Sequence, residues 1–223
     1  MEAAASQSVA ARRSELYWLL AGFFLISPSQ TLVERLRRDL AELTGDAAVN
    51  PLAAGLAAIR DALPDPASAA AIDQLAIEYT RLFGAIGPTY GLSPPYESAQ
   101  RKTAAAAELA AAVSVCYTDA GLPAIDVSVP PDHLGVELKF MALLCHDEMQ
   151  HWQRNDAEKA AQSLIRQRNF LDGHLLQWVA DYLHLVQTQA QYVFYRSVAA
   201  LVLDAVPADR ALLEEILTEF DAA

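Results

Sequence analysis

Cysteine and basic residues are scarce in this 223-residue chain, and each scarcity excludes a class of protein. The two cysteines, Cys116 and Cys145, lie far apart without a CxxC or a zinc-ligand spacing. Both fall in apolar helical patterns, so we expect small core residues, no disulfide framework and a reducing cytoplasm. Lys and Arg number 16 against 28 Asp and Glu, a formal net charge of −12. Nucleic-acid binding is not expected, because phosphate contacts need clustered cations. The acidic surplus indicates a solvated surface or, alternatively, a preference for a cationic partner.

Long hydrophobic runs are also missing. The most apolar run, LYWLLAGFFLI, has eleven residues, which is too short to cross a bilayer. Arg12 and Arg13 precede it as they would in a secretion signal, but Glu15 interrupts the approach and no small-x-small cleavage site follows. The run therefore predicts a first buried helix, and no stable membrane insertion is expected.

Motifs for nucleotide-driven or hydrolytic catalysis are absent as well. The stretch GAIGPTYG lacks the Lys-Ser/Thr of a P-loop and follows no predicted strand. The chain has no GxSxG and no convincing Cys/His pair. We expect neither an enzyme of these classes nor a bound cofactor.

What is abundant is alanine and leucine in helical patterns. The chain is 53% hydrophobic, and β-branched residues alternate clearly only between Ile125 and Val129. This predicts an all-α fold, a single globular domain over residues 1–223 with about nine or ten helices. The predicted helices cover residues 14–26, 31–43, 51–63, 67–83, 97–120, 132–154, 156–171, 173–187, 189–205 and 208–220.

Residues 121–131 are interpreted as a hinge between an N-terminal and a C-terminal half. Gly121 is a candidate C-cap for the helix before this stretch, and prolines bound its other end. A hinge of this kind permits exchange of halves between two chains, so a monomer or a hinge-exchanged dimer is expected.

An aromatic, proline-rich stretch dominates the N-terminal half. Residues 79–98 read YTRLFGAIGPTYGLSPPYES, in which a helical pattern ends at Leu82-Phe83 and a rigid loop follows. Loops that only connect helices are short and polar, whereas this one is apolar and aromatic. The composition predicts a surface that receives a peptide.

A second short motif opens a later helix. Asp132-His133 follows two prolines, and Asp132 is placed to cap the exposed N–H groups of the helix that begins there. Taken alone, the pair has no further role than capping and solvating that helix start.

One pattern has the spacing of a metal site. Glu148-x-x-His151 and Asp181-x-x-His184 each place a carboxylate and an imidazole on one helix face, as in di-iron helical bundles. The second pair has Asp where Glu is usual, and the first falls in a polar closing turn. The alternative is therefore a di-metal oxidoreductase using iron or manganese, weighed against two solvated helix ends.

Four segments in order resemble the TorD/DmsD/NarJ-type family of molybdoenzyme chaperones. They are Tyr17 to Pro28; Tyr79-x-x-Leu82-Phe83 with Gly87-Pro88 and Pro94-Pro95-Tyr96-Glu97-Ser98; Pro131-Asp132-His133-x-x-x-Glu137-Leu138-x-Phe140-Met141; and Phe170-Leu171-x-x-His174-Leu175-x-x-Trp178. The resemblance implies an all-helical, cytoplasmic, non-enzymatic protein. Its expected partners are the twin-arginine signal peptide and the apo form of a molybdoenzyme catalytic subunit. Guanine-nucleotide binding is associated with some members, but this chain shows no phosphate site.

Carried over by position, the resemblance places peptide binding on the aromatic loop and the Asp-His motif. The residues so implied are Tyr79, Leu82, Phe83, Pro95, Tyr96, Asp132 and His133, with Tyr17 nearby. The chemistry of a signal peptide, two arginines beside an apolar segment, adds the Glu97 carboxylate to this set. A third reading, a purely structural helical adaptor, predicts neither metal binding nor peptide binding.

Overall fold

The computed structural model describes residues 3–44, 52–64, 69–84, 90–101, 106–121 and 129–221. Within these ranges it has ten α-helices, one short 3₁₀ helix and no β-strand. The α-helices are α1 (Ala3–Leu25), α2 (Gln30–Thr44), α3 (Ala53–Asp61), α4 (Ala69–Phe83), α5 (Glu97–Gln100), α6 (Ala106–Asp119), α7 (Leu134–Gln153), α8 (Ala157–Gly173), α9 (Val179–Gln189) and α10 (Val193–Asp221), and the 3₁₀ helix is Leu175–Gln177. The prediction of an all-α fold with about nine or ten helices is confirmed.

The chain divides into two compact units. The first comprises residues 1–25, 96–179 and 206–223, and the second comprises residues 26–95 and 180–205. That residues 1–223 form one domain stays a prediction, and most of the predicted hinge, residues 122–128, lies outside the described residues. Gly121 has φ +64, so the left-handed conformation expected of a helix C-cap is confirmed there.

Helix α1 begins eleven residues before its predicted start at Ser14. Its extra turns are rich in alanine, which has the highest helix propensity, and they bury Ser6 and Ala10 in the first unit. The apolar run alone therefore predicted too short a helix. None of the helices in the described ranges is both long and apolar enough to cross a membrane.

The predicted helix boundaries were also wrong near the middle and towards the end of the chain, where the helix predicted over residues 173–187 is a 3₁₀ helix followed by α9 and the helix predicted from residue 189 begins at Val193. The helix predicted over residues 97–120 is two helices, because α5 ends at Gln100 and α6 begins at Ala106. The break predicted at Pro207 does not occur, since α10 continues through this residue. A proline inside a helix costs about 3 kcal/mol. Here the following turn contains Leu213, which is buried, and Asp209, which accepts hydrogen bonds from Arg13.

A buried ionic network lies inside the first unit and centres on Arg13 of α1, which is 6% exposed. Its guanidinium donates to Asp209 at 2.5 and 3.0 Å, to Glu148 at 2.9 Å and to Gln167 at 2.5 Å. Gln167 also donates to Glu148 at 2.9 Å. Four helices, α1, α7, α8 and α10, thus meet around one cation, and a buried charge is tolerated because each donor and acceptor is paired.

Close backbone approach fixes the packing of α1 against α7 in the same unit. Gly135 is buried, and a Cβ added to it would stand 2.5 Å from Leu25 Cγ and 3.2 Å from the carbonyl oxygen of Ala21. No side chain fits there, so glycine is required by the space between the two helices.

In the second unit, hydrogen bonds join residues 180–205 to α4. Tyr195 donates its hydroxyl to the carbonyl of Leu75 at 2.7 Å, and Tyr182 does so to that of Leu82 at 3.3 Å. Glu78, buried on α4, accepts from Arg81 at 2.7 Å and from the backbone N–H of Gln191 at 2.7 Å. Segments about a hundred residues apart in sequence are therefore joined by hydrogen bonds as well as by apolar packing.

Replacing Arg13 by methionine is expected to lower the free energy of unfolding by about 3–5 kcal/mol, because two buried carboxylates lose their cation. Arg12 is the matched control: it is exposed and donates to Ser8 on the same helix, so Arg12→Met should change stability by less than about 0.5 kcal/mol. Urea unfolding followed by circular dichroism measures both. Equal effects of the two substitutions would contradict the role given to the network.

Gly135→Ala is expected to destabilise the protein by about 1–3 kcal/mol through overpacking against Leu25. Gly22→Ala on α1 is the control, since a Cβ there meets nothing within 4 Å and helix propensity should add up to about 1 kcal/mol. Thermal unfolding of the two variants separates the cases. A stabilised Gly135→Ala protein would show that the helices do not approach as described.

Candidate functional site

The segment before α5 and the segment before α7 are joined by an isolated antiparallel bridge. It pairs Tyr96 with His133, and the N–H of Glu97 donates to the carbonyl of Asp132 at 2.9 Å. All four residues belong to the first unit. Two motifs that are far apart in sequence are thus held side by side by backbone hydrogen bonds.

The side chains of Asp132 and His133 cap the starts of two different helices. His133 caps α7, its Nδ1 accepting from the N–H of Gly135 at 3.0 Å. The expectation that Asp132 caps this helix was wrong, because its Oδ2 accepts from the N–H of Ser98 in α5 at 3.0 Å. Each side chain thereby satisfies a backbone donor that a helix terminus leaves unpaired.

Tyr96 and His133 also meet through their rings, whose centroids are 5.5 Å apart at 57°. Tyr96 is half-buried and keeps some solvent exposure, whereas His133 is 4% exposed. Burial lowers the pKa of His133 to about 4, against the opposing effect of Asp132. The imidazole is therefore neutral at neutral pH, as its role as a hydrogen-bond acceptor requires.

Glu97, expected to face a peptide, is instead fully buried. Its Oε1 accepts from Arg101 at 2.7 Å and its Oε2 lies 2.8 Å from Nδ1 of His174. Nε2 of His174 lies 3.6 Å from Sγ of Cys116. Burial acts to lower the pKa of His174, but the bonds to Cys116 and Glu97 outweigh it and raise that pKa to about 9. The carboxylate of Glu97 is thus paired inside the protein, and its contribution to the bridge is to hold α5 in place.

Glu137 is a further buried carboxylate in the first unit. It is fully buried, accepts from Nε1 of Trp178 at 3.3 Å, and has no partner for its Oε1. Burial, and then the carboxylate of Glu97, raise the pKa of Glu137 well above its ordinary value. Protonation removes the cost of placing an unpaired negative charge close to the carboxylate of Glu97.

Tyr17 lies in the ionic network and not at the bridge surface. It is 1% exposed and donates its hydroxyl to Asp209 at 2.8 Å. Burial and the negative charge of Asp209 raise its pKa. In this structure Tyr17 supports the core of the first unit and presents no surface to a peptide.

The remaining predicted residues belong to the second unit. Leu82 and Phe83 are core residues, 0% and 5% exposed, and Pro95 is buried as well. Tyr79 is half-buried, and its ring packs edge-on against Phe83 with centroids 5.4 Å apart. Burial raises the pKa of Tyr79 to about 12. Of this group, Tyr79 alone keeps partial exposure.

Sequence reasoning assigned no role to Arg101 and His174. It expected both cysteines in the core, which is confirmed for Cys145 but wrong for Cys116, because Cys116 is only partly buried. His174 stands in the fourth family-like segment, and Arg101 lies four residues after Glu97, a spacing at which opposite charges pair on a helix. That spacing was a usable signal. The pairing of Cys116 with His174 had none, since the two residues lie 58 positions apart.

The di-metal alternative is not favoured. Glu148 is held by Arg13, Gln167 and Nε1 of Trp152, whereas Asp181 and His184 are exposed. Among the described residues no group of three or more His, Cys, Asp or Glu side chains is arranged to hold a metal ion. Glu148, the carboxylate that this hypothesis needs in the first helix, is already bound in the ionic network.

His174 is expected to make stability depend on pH in the alkaline range. Its pKa in the folded protein, about 9, exceeds its ordinary value of 6.5, so its contribution is complete below about pH 6.5 and is lost as pH rises through about 9. The difference in unfolding free energy between the wild type and His174→Gln should therefore shrink over this window. Urea titrations at several pH values test this, and a constant difference would contradict the His174–Glu97 ion pair.

Comparisons with known proteins agree with the resemblance seen in the sequence. The model of the nitrate reductase delta subunit family matches residues 46–183, more than half of the chain. The chain is 31% identical over 142 residues to the chaperone protein YcdY of Escherichia coli strain K12, a match that covers 64% of this chain and 66% of YcdY, just under two thirds of that relative. With its all-helical fold and its ordered motifs, the chain belongs to the nitrate reductase delta subunit family, the family of NarJ/TorD-type chaperones.

Proposed function

We propose that this protein is a cytoplasmic maturation chaperone for a molybdopterin-dependent oxidoreductase subunit. It binds the N-terminal signal region of that subunit, a twin-arginine signal, and holds the apo-enzyme until cofactor insertion, before export or assembly. Its action is reversible binding and involves no catalysis. Family membership supports the chaperone role, and so does the similarity to the chaperone protein YcdY of Escherichia coli.

The observation that carries the proposed binding site is the bridge between Tyr96 and His133. A backbone bridge and two helix caps give these residues a fixed position and leave Tyr96 partly exposed. A rigid, half-exposed aromatic side chain binds a ligand at little cost in conformational entropy. The bridge therefore serves as a preorganised support for peptide binding.

The chemistry of the expected ligand fits this arrangement. An arginine guanidinium stacks on a tyrosine face, a contact worth about 0.5–2 kcal/mol according to how much water is removed. The net charge of −12 raises the local concentration of a cationic peptide. Because Glu97 and Asp132 are buried, they act by fixing Tyr96 and His133 and not by direct contact.

Burial likewise divides the other proposed site residues into two groups. Tyr96 in the first unit and Tyr79 in the second are each partly exposed and available for direct contact. Tyr17, Leu82, Phe83 and Pro95 are buried, and each supports the core of the unit to which it belongs. Substitution of a buried member is thus expected to alter stability, whereas substitution of an exposed ring is expected to alter binding alone.

The proposal predicts that a synthetic twin-arginine signal peptide binds the wild type, and that Tyr96→Leu weakens binding by roughly 3- to 30-fold through loss of the aromatic face. Isothermal titration calorimetry measures both affinities. Tyr192→Leu is the matched control, because Tyr192 is also half-buried and lies outside every predicted motif. Unchanged affinity in Tyr96→Leu would refute the site. The chaperone function itself fails if no twin-arginine peptide binds and no molybdoenzyme subunit copurifies.

A pair of His133 variants separates capping from binding in the same titration. His133→Asn keeps a side-chain acceptor for the helix start, whereas His133→Ala removes it at a cost of about 1 kcal/mol in stability. We expect His133→Asn to have the same unfolding free energy as the wild type. It should still bind the peptide more weakly, because asparagine lacks the imidazole ring that packs against Tyr96. Wild-type affinity in this variant would assign His133 to structure only.

A further inference from the structure

Cys116 on α6 is placed in a hydrogen-bonded chain of polar side chains within the first unit. Its Sγ lies 3.6 Å from Nε2 of His174, a normal length for a hydrogen bond to sulfur. The other ring nitrogen of His174 lies 2.8 Å from Oε2 of Glu97, whose second oxygen accepts from Arg101. A sulfur, an imidazole and a carboxylate in line have the order of groups that activates thiol nucleophiles.

The position of His174 is fixed by more than these bonds. It follows the last turn of α8, its N–H donates to the carbonyl of Phe170 at 3.0 Å, and its ring stacks on that of Phe170 with centroids 5.0 Å apart. Arg101, which binds Glu97, also donates to the carbonyl of Gly173 at 3.3 Å. The imidazole therefore cannot turn away from the sulfur without breaking its stacking contact with Phe170 and its bond to Glu97.

The second cysteine provides an internal comparison. Cys145 is fully buried, and its thiol donates to Oε1 of Gln167 at 3.6 Å, an amide oxygen and not an imidazole. Burial raises its pKa. Cys116, in contrast, is partly exposed and faces an imidazole. The two thiols of one chain thus differ in both access and activation, the two properties that set cysteine reactivity.

We propose that Cys116 is a modification site, whose sulfur reacts with low-molecular-weight disulfides to form a mixed disulfide under the influence of His174. In this exchange the Cys116 thiol first loses its proton to solvent, and its sulfur, held beside the imidazolium of His174, attacks one sulfur of the small disulfide. A new S–S bond forms, the original one breaks, and the leaving thiolate takes a proton from the imidazolium of His174. Cys116 is oxidised and the departing half of the reagent is reduced, so no other oxidant is required.

The product is persistent for a structural reason. A mixed disulfide is resolved within a chain when a second thiol attacks it, but the only other cysteine in the sequence is the fully buried Cys145. The modification is therefore reversed by an external thiol. While it lasts, the bond from His174 to Cys116 is lost, and the imidazole keeps only Glu97 as a hydrogen-bonding partner among those described here.

The proposal is tested by the reaction of the full chain with dithiodipyridine, a small disulfide that releases an absorbing thione. At neutral pH we expect one thiol per folded chain to react faster than the same thiol in the urea-unfolded chain, although it is less exposed. Cys116→Ser should abolish this phase and Cys145→Ser should retain it. His174→Gln should slow it about tenfold, a modest part of what a positioned acid–base group contributes. Mass spectrometry after treatment with oxidised glutathione should locate the adduct on Cys116.

Three outcomes would overturn the proposal. The first is a Cys116 rate in the folded chain at or below that of the unfolded chain, which identifies a shielded, unactivated thiol. The second is an unchanged rate in His174→Gln, and the third is an adduct on Cys145. If His174→Gln fails to fold, the comparison of folded and unfolded wild type still decides the question. The test does not involve the signal peptide, so its result is independent of the proposed chaperone function.

Discussion

Desolvation of charge is the constraint on which the first unit depends. Arg13 is buried with Glu148 and Asp209, and a buried ion is tolerated when its hydrogen-bonding capacity is filled. The guanidinium meets this requirement by drawing together helices α1, α7, α8 and α10. The same contacts hold the turn after Pro207 in helical conformation. Arg12 and Arg13, which resemble part of an export signal, thus have different roles. Arg12 is solvated, whereas Arg13 holds the core of the first unit together.

The same constraint organises the candidate site. Glu97 is fully buried, and its charge is balanced by Arg101 and His174, which fixes α5 beside the start of α7. The bridge between Tyr96 and His133 is built on that fixed segment. A peptide that contacts the exposed part of Tyr96 would contact a surface already ordered by buried ion pairs. Cys116 belongs to the same chain of hydrogen bonds through its contact with His174.

Helical periodicity and propensity were enough to predict the all-α class, most helix positions and the left-handed Gly121. They failed where distant contacts decide. The continuation of α10 through Pro207 depends on Asp209 meeting Arg13, 196 residues away in sequence. The end of α5 at Gln100 occurs in a segment with no local helix breaker. His133 caps α7 in place of Asp132, because the Asp132 carboxylate accepts from the N–H of Ser98 in another helix.

The sequence by itself determined that the protein is helical and acidic, and its ordered motifs determined the family. It also marked Tyr96 and His133 as candidates for one site. Only the tertiary structure decided which marked residues keep solvent access, because burial depends on what packs against a side chain and not on its neighbours in sequence. Tyr17, Leu82 and Glu97 are therefore interior, Tyr96 is half-exposed, and Cys116 meets His174. Local pattern records residue type and spacing, whereas partners and exposure arise from long-range packing.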